Sequence, residues 1–245
     1  LLVFIPLYPK IPLADLLPGY IVRLRFEDLL VMLAAGVYVI WMLRGKVRPS
    51  RNPLFVIIMV YLAIGLVSGL SAIFITKTIP MYWLHIGKWG LHWARRVEYM
   101  FLIFLFYDSV RSEKRLSLLT WLTGLVVIAA TIYGFGQKYY QWPVYSTMNR
   151  EFSKGWRLVL TEHARVPSTF AGHYDLAAFL VLVLPLALAM AFYGNAFTKW
   201  IGKMGFVCGY VLLILTASRA SFIAYSGATI LFFIFLWKYR GLKYV

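Results

Sequence analysis

Four polar side chains with the potential for chemistry stand where long apolar segments begin or break. Arg165, His173 and Asp175 open the stretch RVPSTFAGHYDLAAFLVLVLPLALAMAF (165–192), and Arg219 interrupts another apolar block in LTASRASFIA. An arginine guanidinium is always charged and presents five N–H donors in a planar fork that suits phosphate oxygens. Two such forks at one cavity would bind a diphosphate through charge-assisted hydrogen bonds. The sequence predicts that Arg165 and Arg219 lie at the same depth, and it leaves open whether they converge.

Each of these residues also has a structural interpretation. Arg165 could extend its guanidinium from a helix entrance to the membrane surface. Asp175 could accept hydrogen bonds from the first helical turn, where the helix dipole favours a negative charge. His173 could bind a backbone carbonyl, or act as a proton acceptor or phosphate ligand. Arg219 is the strongest functional candidate, because a charged residue inside an apolar block usually faces a cavity, a partner or a substrate.

A second group of charged residues stands in ARRVEYMF, before the predicted third span. Glu98 needs a partner where it enters the membrane, and Arg95, three residues earlier, lies within helical reach. We expect a structural ion pair first, and a contribution to an anionic-lipid or substrate site second. A similar mixture of charges precedes the first span, comprising Arg23, Arg25, Glu27 and Asp28.

No metal or cofactor is expected from the histidine and cysteine content. His85 and His92 are seven residues apart in a tryptophan-rich segment, and no second histidine or cysteine stands at a metal-ligand spacing. The single cysteine, Cys208, lies inside an apolar run and excludes an intrachain disulfide.

The elements that carry these residues are those of a helical membrane protein. Hydrophobic residues make up 62% of the chain, against roughly 45–50% apolar usage in soluble domains. A bilayer core about 30 Å thick needs about 20 helical residues, and the short alternating segments of a β-barrel are not found. We predict an all-α transmembrane bundle with seven spans. Five run at about 29–43, 54–75, 97–107, 116–135 and 176–192, and two lie within 200–237.

The last apolar block, residues 200–237, must fold back on itself. As one helix its 38 residues would measure about 57 Å, nearly twice the hydrocarbon thickness. Arg219 would cost about 2.5–3.5 kcal/mol at the middle of the membrane, so the turn is predicted at TASRAS. We expect residues 1–245 to form one transmembrane domain, incomplete at both ends, with an outer-face loop at about 136–172.

The net charge of +16 does not indicate nucleic-acid binding, because the basic residues gather between apolar runs with no basic stripe or recognition motif. Such clusters orient a membrane protein and contact anionic lipids. Four short loops hold 12 of the 25 Lys and Arg residues, and the positive-inside rule makes them cytoplasmic: 44–51, 108–116, 194–203 and 238–245. The four polar residues described first then lie at the outer face.

The two arginine-bearing stretches resemble a known family. RVPSTFAGHYDLAAFLVLVLPL and, about fifty residues on, LTASRASFIA look like the two signature stretches of the O-antigen ligase and polymerase superfamily of bacterial membrane glycosyltransferases. The entry PLYPKIPL...VRLRFEDLL is similar to the way many members begin. The resemblance covers most of the chain. The order and spacing of the two arginine-bearing stretches are more specific evidence than the hydrophobicity of the segments.

The resemblance implies a GT-C-like enzyme of the bacterial cytoplasmic membrane, active at the periplasmic face without a metal. It would transfer a glycan from an undecaprenyl-diphosphate carrier to a lipid, polysaccharide or protein acceptor, among membrane lipids and without nucleic acid. Carried over by position, Arg165 and Arg219 would be the catalytic residues that hold the donor diphosphate. We take four further residues as candidates for substrate binding: His173, Asp175, Arg95 and Glu98.

Two features qualify this interpretation. Members of the superfamily usually have more spans and a large outer loop with a histidine that activates the acceptor hydroxyl, and we expect both to follow Val245. A transporter or flippase that holds an anionic head group with the same arginines is the alternative. Transporters often have helices broken by Gly or Pro at corresponding positions of two halves, and Pro185 in the fifth span has no such counterpart in an earlier span. A non-enzymatic scaffold is a third class, and it would tolerate Lys or Gln at the arginines.

Overall fold

The computed structural model describes residues 1–17, 23–46, 53–110, 112–147, 154–193 and 195–240. Within these ranges the chain forms eight helices: α1 (Phe4–Leu7), α2 (Phe26–Leu43), α3 (Pro53–Phe74), α4 (Trp83–Ser109), α5 (Glu113–Tyr139), α6 (His173–Phe192), α7 (Ala196–Leu215) and α8 (Arg219–Arg240). Two short strands, β1 (Pro12–Ala14) and β2 (Leu24–Arg25), pair with each other. The sequence did not predict this ladder, which is far too short to cross a bilayer.

Six of the described helices are long and apolar enough to cross a membrane: α2, α3, α5, α6, α7 and α8. Large apolar side chains on them point outward, such as Leu33 with 65% and Leu182 with 78% of its surface exposed. Lipid is the solvent in which such surfaces are favourable. The chain is therefore a multi-pass helical membrane protein.

The helix boundaries agree with the predicted spans at most ends. The last apolar block folds back at residues 216–218, between α7 and α8, as predicted from Arg219. The third predicted span corresponds to α4, which extends back through the tryptophans to Trp83. The fourth predicted span is longer than expected, because α5 continues past Phe135 to Tyr139. Gly136 in this extension lets Trp142 pack against the helix, since the indole lies where a β-carbon would stand.

The described chain divides into two compact units. Unit 1 comprises residues 1–12 and 116–245, and unit 2 comprises residues 13–115. The single transmembrane domain expected from the sequence stays a prediction.

The four long helices of unit 1, α5 to α8, alternate in direction, as their contacts show. Gly202 of α7 packs against the backbone of α6, with a β-carbon position 2.5 Å from the Ala191 nitrogen, which makes α6 and α7 an antiparallel pair. The Tyr210 and Tyr225 rings lie 5.8 Å apart across the turn between α7 and α8. Gly134 of α5 faces Leu212 near the end of α7. The end of α5, the start of α6, the end of α7 and the start of α8 therefore meet at one end of unit 1, here called the loop end.

The core of unit 1 lies directly beneath the loop end. Its fully buried side chains come from α5, α6 and α7: Val127, Ala130, Leu176, Leu180, Leu184 and Leu212. The loop residue Val166 is equally buried and belongs to the same cluster. The core thus includes one loop residue that is as fully buried as its helix residues.

In unit 2, α4 contacts both other helices. Tyr38 of α2 donates a hydrogen bond of 2.5 Å to Asp108 at the end of α4. Trp93 Nε1 of α4 donates to the carbonyl oxygen of Leu62 in α3 over 3.2 Å, and the rings of Phe55 and Phe104 meet at 5.3 Å. The earlier residue of α3 contacts the later residue of α4, so the two helices are antiparallel.

Candidate functional site

The segment that follows Arg165 is a buried loop held by hydrogen bonds to α5. Val166, Ser168 and Thr169 are buried although they belong to no helix. Ser168 Oγ donates to the Ala130 carbonyl oxygen over 2.7 Å, and Gln137 Nε2 donates to the Ser168 carbonyl oxygen over 2.9 Å. A buried loop is stable only if its polar groups are paired, and these bonds pair the hydroxyl and the carbonyl group of Ser168.

Further contacts hold the rest of the loop end in place. Thr169 Oγ1 donates to the carbonyl oxygen of Pro6 over 2.5 Å, which fastens α1 onto the loop. Gln137 Nε2 also donates to Pro143 over 3.0 Å. The Thr147 amide donates to the Ala171 carbonyl oxygen over 2.9 Å. The loop is thereby anchored at several points, so that Arg165 extends from a fixed backbone.

The Arg165 side chain lies over the first turn of α6. Its Nη1 stands 3.0 Å from His173 Nε2 and donates to the Tyr174 hydroxyl oxygen over 3.2 Å. Because a guanidinium only donates hydrogen bonds, His173 Nε2 must accept here, and the ring proton is then on Nδ1. The structure therefore brings together two predicted site residues, Arg165 and His173, and adds Tyr174.

The arginine-bearing stretches meet through their backbones. The Val166 amide donates to the carbonyl oxygen of Leu215, the last residue of α7, over 3.2 Å. Arg219 begins α8 three residues after the turn starts at Thr216, and it is exposed. Both predicted arginines thus belong to the loop end of unit 1.

Arg219 lines a cleft of about 510 Å³ between the end of α7 and the start of α8. Ser218 is the other polar residue of its wall, and the remaining lining side chains are apolar: Leu213, Ile214, Ala217, Phe222 and Ile223. Arg165 is not part of this wall. The two guanidinium groups therefore have separate immediate surroundings at the same end of the unit.

Asp175 stands in the first turn of α6 and is exposed. The helix begins at His173 with Gly172 as its N-cap residue, so Asp175 occupies the third helical position rather than the cap. A carboxylate at this position still gains from the positive end of the helix dipole. Asp175 is thus placed beside the Arg165–His173 contact in sequence, with its charge favoured by the helix.

Arg95 and Glu98 belong to unit 2, where they join a network of charges. Arg95 Nε lies 3.7 Å from Glu98 Oε2, so the expected ion pair forms. Arg95 makes a closer, bidentate contact with Asp28 of α2, at 2.7 and 3.2 Å. Asp28 also accepts a 2.9 Å hydrogen bond from the Arg25 amide. The charge clusters before the first and third spans are therefore one network, and its contacts match the structural interpretation of Arg95.

Tyr174 and Gln137 contribute to the candidate site without having been singled out in the sequence. Tyr174 follows His173 directly, and its position at a helix entrance was the only signal that could have drawn attention to it. Gln137 is fully buried and bonds two loop carbonyls, yet nothing in the local sequence distinguishes it from an exposed glutamine. In the part of the chain that the structure describes, no three His, Cys, Asp or Glu side chains are grouped so as to hold a metal ion.

The chain matches no protein-family model, no curated protein and no solved structure.

Proposed function

We propose that the chain is a membrane glycosyltransferase that takes a glycan from an undecaprenyl-diphosphate carrier at the outer face of the bacterial cytoplasmic membrane. The acceptor is a lipid, a polysaccharide or a protein. The hydrogen bond from the Val166 amide to the Leu215 carbonyl oxygen, 3.2 Å long, is the observation that carries this proposal. It joins the two segments whose arginines would bind the donor, and it supports a common location for them.

The cleft at Arg219 supports a substrate with a charged head and an apolar tail. Arg219 and Ser218 make its polar part, whereas Leu213 and Phe222 belong to its apolar part. A polyprenyl diphosphate has the same division between an anionic head group and a hydrocarbon chain. An arginine beside an apolar wall binds such a head group more strongly than it would in water, because the lower local dielectric strengthens charge-assisted hydrogen bonds.

The proposed reaction replaces one bond at the anomeric carbon with another and moves one proton. The bond between the anomeric carbon of the glycan and the diphosphate oxygen breaks, and the acceptor oxygen bonds to the anomeric carbon. The acceptor proton passes to a general base, and the diphosphate leaves on its lipid carrier with the bonding electron pair. Arg165 and Arg219 act on the charge that develops on this leaving group, which is the usual way in which fixed donors lower such a barrier. His173 and Asp175 bind the substrate beside them.

In this proposal α4 is a seventh span of a GT-C-like bundle. Its 27 residues measure about 40 Å, which is enough to cross the bilayer. Isolated charges on it would be costly in lipid, but Arg95 is paired with Asp28 and Glu98, Asp108 accepts from Tyr38, and Arg96 lines a cleft. The loop end of unit 1 faces the periplasm and the positively charged short loops face the cytoplasm.

Glycan transfer in vesicles that contain the purified native protein tests the proposal. The donor is an undecaprenyl-diphosphate-linked glycan, and the product is the glycan on the acceptor together with released carrier diphosphate. Arg219→Ala is expected to lower the transfer rate about 10²–10³-fold, as loss of one oxyanion-stabilising donor does in other enzymes. Arg157→Ala, which removes another exposed arginine of unit 1, serves as the matched control and should retain the rate.

Two results would overturn the proposal. One is an unchanged transfer rate in Arg219→Ala protein that is present at the normal level. The other is movement of the intact lipid-linked glycan across the bilayer without cleavage of the bond between its anomeric carbon and the diphosphate, which would assign the arginines to a flippase.

A further inference from the structure

A second cleft lies in unit 2, where α3 is followed by α4. Its volume is about 490 Å³, and the loop residues 78–80 form one wall. The opposite wall consists of four side chains of α4: His85, Trp89, His92 and Arg96. Steps of four, three and four residues place these side chains on one face of the helix. The cleft is therefore lined by one helical stripe rather than by scattered surface residues.

The walls of this cleft are fixed by contacts on both sides. The Ile79 amide donates to the carbonyl oxygen of Ala72 over 3.1 Å, which ties the loop back onto α3. The Trp89 indole lies directly against Gly69 of α3, where a β-carbon would overlap the ring. The hydroxyl oxygens of Thr76 and Thr78 lie 3.2 Å apart. These contacts hold both walls of the cleft in place at the junction between α3 and α4.

The charge of the cleft comes from Arg96. Its neighbour Arg95 is neutralised by Asp28 and Glu98. No ion pair within the described residues includes Arg96, although the guanidinium is exposed. The guanidinium of Arg96 shares the cleft lining with His85, His92 and Thr78. Its fork of five donors suits the oxygens of a phosphate group.

The surrounding aromatic residues indicate the depth of the cleft in the membrane. Tyr82 and Trp83, at the start of α4, are exposed, and Trp89 and Trp93 follow within the next turns. Tryptophan and tyrosine concentrate at the boundary between hydrocarbon and water, where lipid head groups lie. The end of the cleft at residues 78–80 therefore lies at the head-group level, and the cleft runs inward along α4 to Arg96. A phosphate that enters it from this level is that of a lipid.

We infer that this cleft binds the phosphate of an anionic membrane lipid, held by Arg96 with His85 and His92. The site belongs to unit 2, and the inference does not depend on the proposed glycan transfer. Its occupant is a phospholipid head group whose acyl chains lie along the exposed apolar surfaces of α3 and α4.

Native mass spectrometry of the purified protein, titrated with phosphatidylglycerol, tests the inference. Arg96→Gln is expected to weaken binding about tenfold or more, because it removes a charge-assisted hydrogen-bond donor from the phosphate. Arg157→Gln is the matched control, since Arg157 is an exposed arginine that does not line the cleft, and it should bind like the native protein. Neutral diacylglycerol should not distinguish the variants.

Free phosphates provide the second arm of the experiment. Glycerol 1-phosphate and inorganic phosphate should bind more weakly than the lipid, and if either bound as tightly, the lipid assignment would be wrong. Equal affinity of the native protein and Arg96→Gln for phosphatidylglycerol would overturn the site itself. If Arg96→Gln does not fold, the double variant His85→Ala, His92→Ala replaces it and should also weaken lipid binding, whereas native affinity in that variant would count against the site. Glycan transfer is measured in parallel, so that the two proposals can fail separately.

Discussion

The Arg95 guanidinium of α4 binds both carboxylate oxygens of Asp28 in α2, at 2.7 and 3.2 Å, across 67 positions of the sequence. The Asp28 side chain is only 8% exposed, so its charge depends on this partner and on the Arg25 amide. A buried carboxylate without a partner is strongly destabilising. The contact therefore secures the packing of two helices in unit 2.

Arg95→Gln should lower the free energy of unfolding by about 3 kcal/mol, since removing one member of a buried pair leaves the other charge uncompensated. Denaturant titration of the detergent-solubilised protein measures this change. The control is the Arg23–Asp15 pair, in which the Asp15 side chain is 56% exposed, so Asp15→Asn should cost less than about 1 kcal/mol. Equal losses in the two variants would contradict a structural role for the Arg95–Asp28 contact.

Gly202→Leu should separate α6 from α7. A β-carbon at Gly202 would lie 2.5 Å from the Ala191 nitrogen and 2.7 Å from the Met190 carbonyl carbon, and backbone atoms cannot move aside cheaply. We expect a destabilisation of about 1–3 kcal/mol or more, measured as a lower thermal unfolding midpoint. Gly227→Leu in α8 is the control, because no atom lies within 4 Å of its β-carbon position. A similar midpoint for the two variants would show that this close approach is not needed.

Gln137→Leu should loosen the loop that carries Arg165. The substitution removes the Nε2 donor that binds the buried Ser168 carbonyl oxygen, whereas the Pro143 carbonyl oxygen keeps its hydrogen bond from the Tyr133 hydroxyl. The cost of the buried acceptor that loses its donor is about 1–3 kcal/mol. Hydrogen exchange should quicken at the amides of residues 144–147 and 166–170, while Gln141→Asn, a change at an exposed glutamine, should leave their protection intact. Unchanged protection in Gln137→Leu would refute the anchoring role of Gln137.

Arg165→Lys tests the geometry of the planar fork rather than its charge. Nη1 of Arg165 contacts both His173 and Tyr174, and an ammonium cannot present the same paired donors to a phosphate. We expect stability within about 0.5 kcal/mol of the native protein, because the residue is exposed. Affinity for undecaprenyl diphosphate, measured with the purified protein, should fall about tenfold. Native affinity in Arg165→Lys would remove Arg165 from the proposed donor site.

Cysteine labelling tests the proposed seventh span. In a Cys208→Ser background, single cysteines replace exposed residues on either side of α4, at Thr78 and Ser112. A maleimide that cannot cross membranes should label Thr78→Cys in intact cells and Ser112→Cys only after permeabilisation. Thr161→Cys and Ala196→Cys provide the same comparison for α6. Labelling of both α4 positions from the same side would show that α4 does not cross the bilayer.

The helices and the turn at residues 216–218 could be predicted because their signals are local. A run of about 20 apolar residues has the length of the bilayer core, and a charge such as Arg219 inside a longer run marks the place where it must turn. The Arg95–Glu98 contact was also within reach, because residues three apart on a helix face each other. Apolar length and helical spacing need no knowledge of distant parts of the chain.

The conformation of the loop after Arg165 could not be predicted, because it depends on contacts with distant parts of the chain. Val166, Ser168 and Thr169 are short loop residues, and their burial follows from where Leu215, Ala130 and Pro6 arrive in space. Ser168 also adopts a φ of 52°, a left-handed conformation that serine rarely takes without such support. The sequence around the loop does not indicate these three distant partners.

The sequence by itself determined a multi-pass helical membrane protein and the identity of the arginines at its helix entrances, because hydrophobic length and charge are properties of short segments. Tertiary structure alone decided that Asp28 pairs with Arg95, that His173 and Tyr174 accept hydrogen bonds from Arg165, and that Arg96 lines a cleft. These contacts depend on which faces of distant helices meet, and side-chain packing selects those faces only once the whole chain has folded.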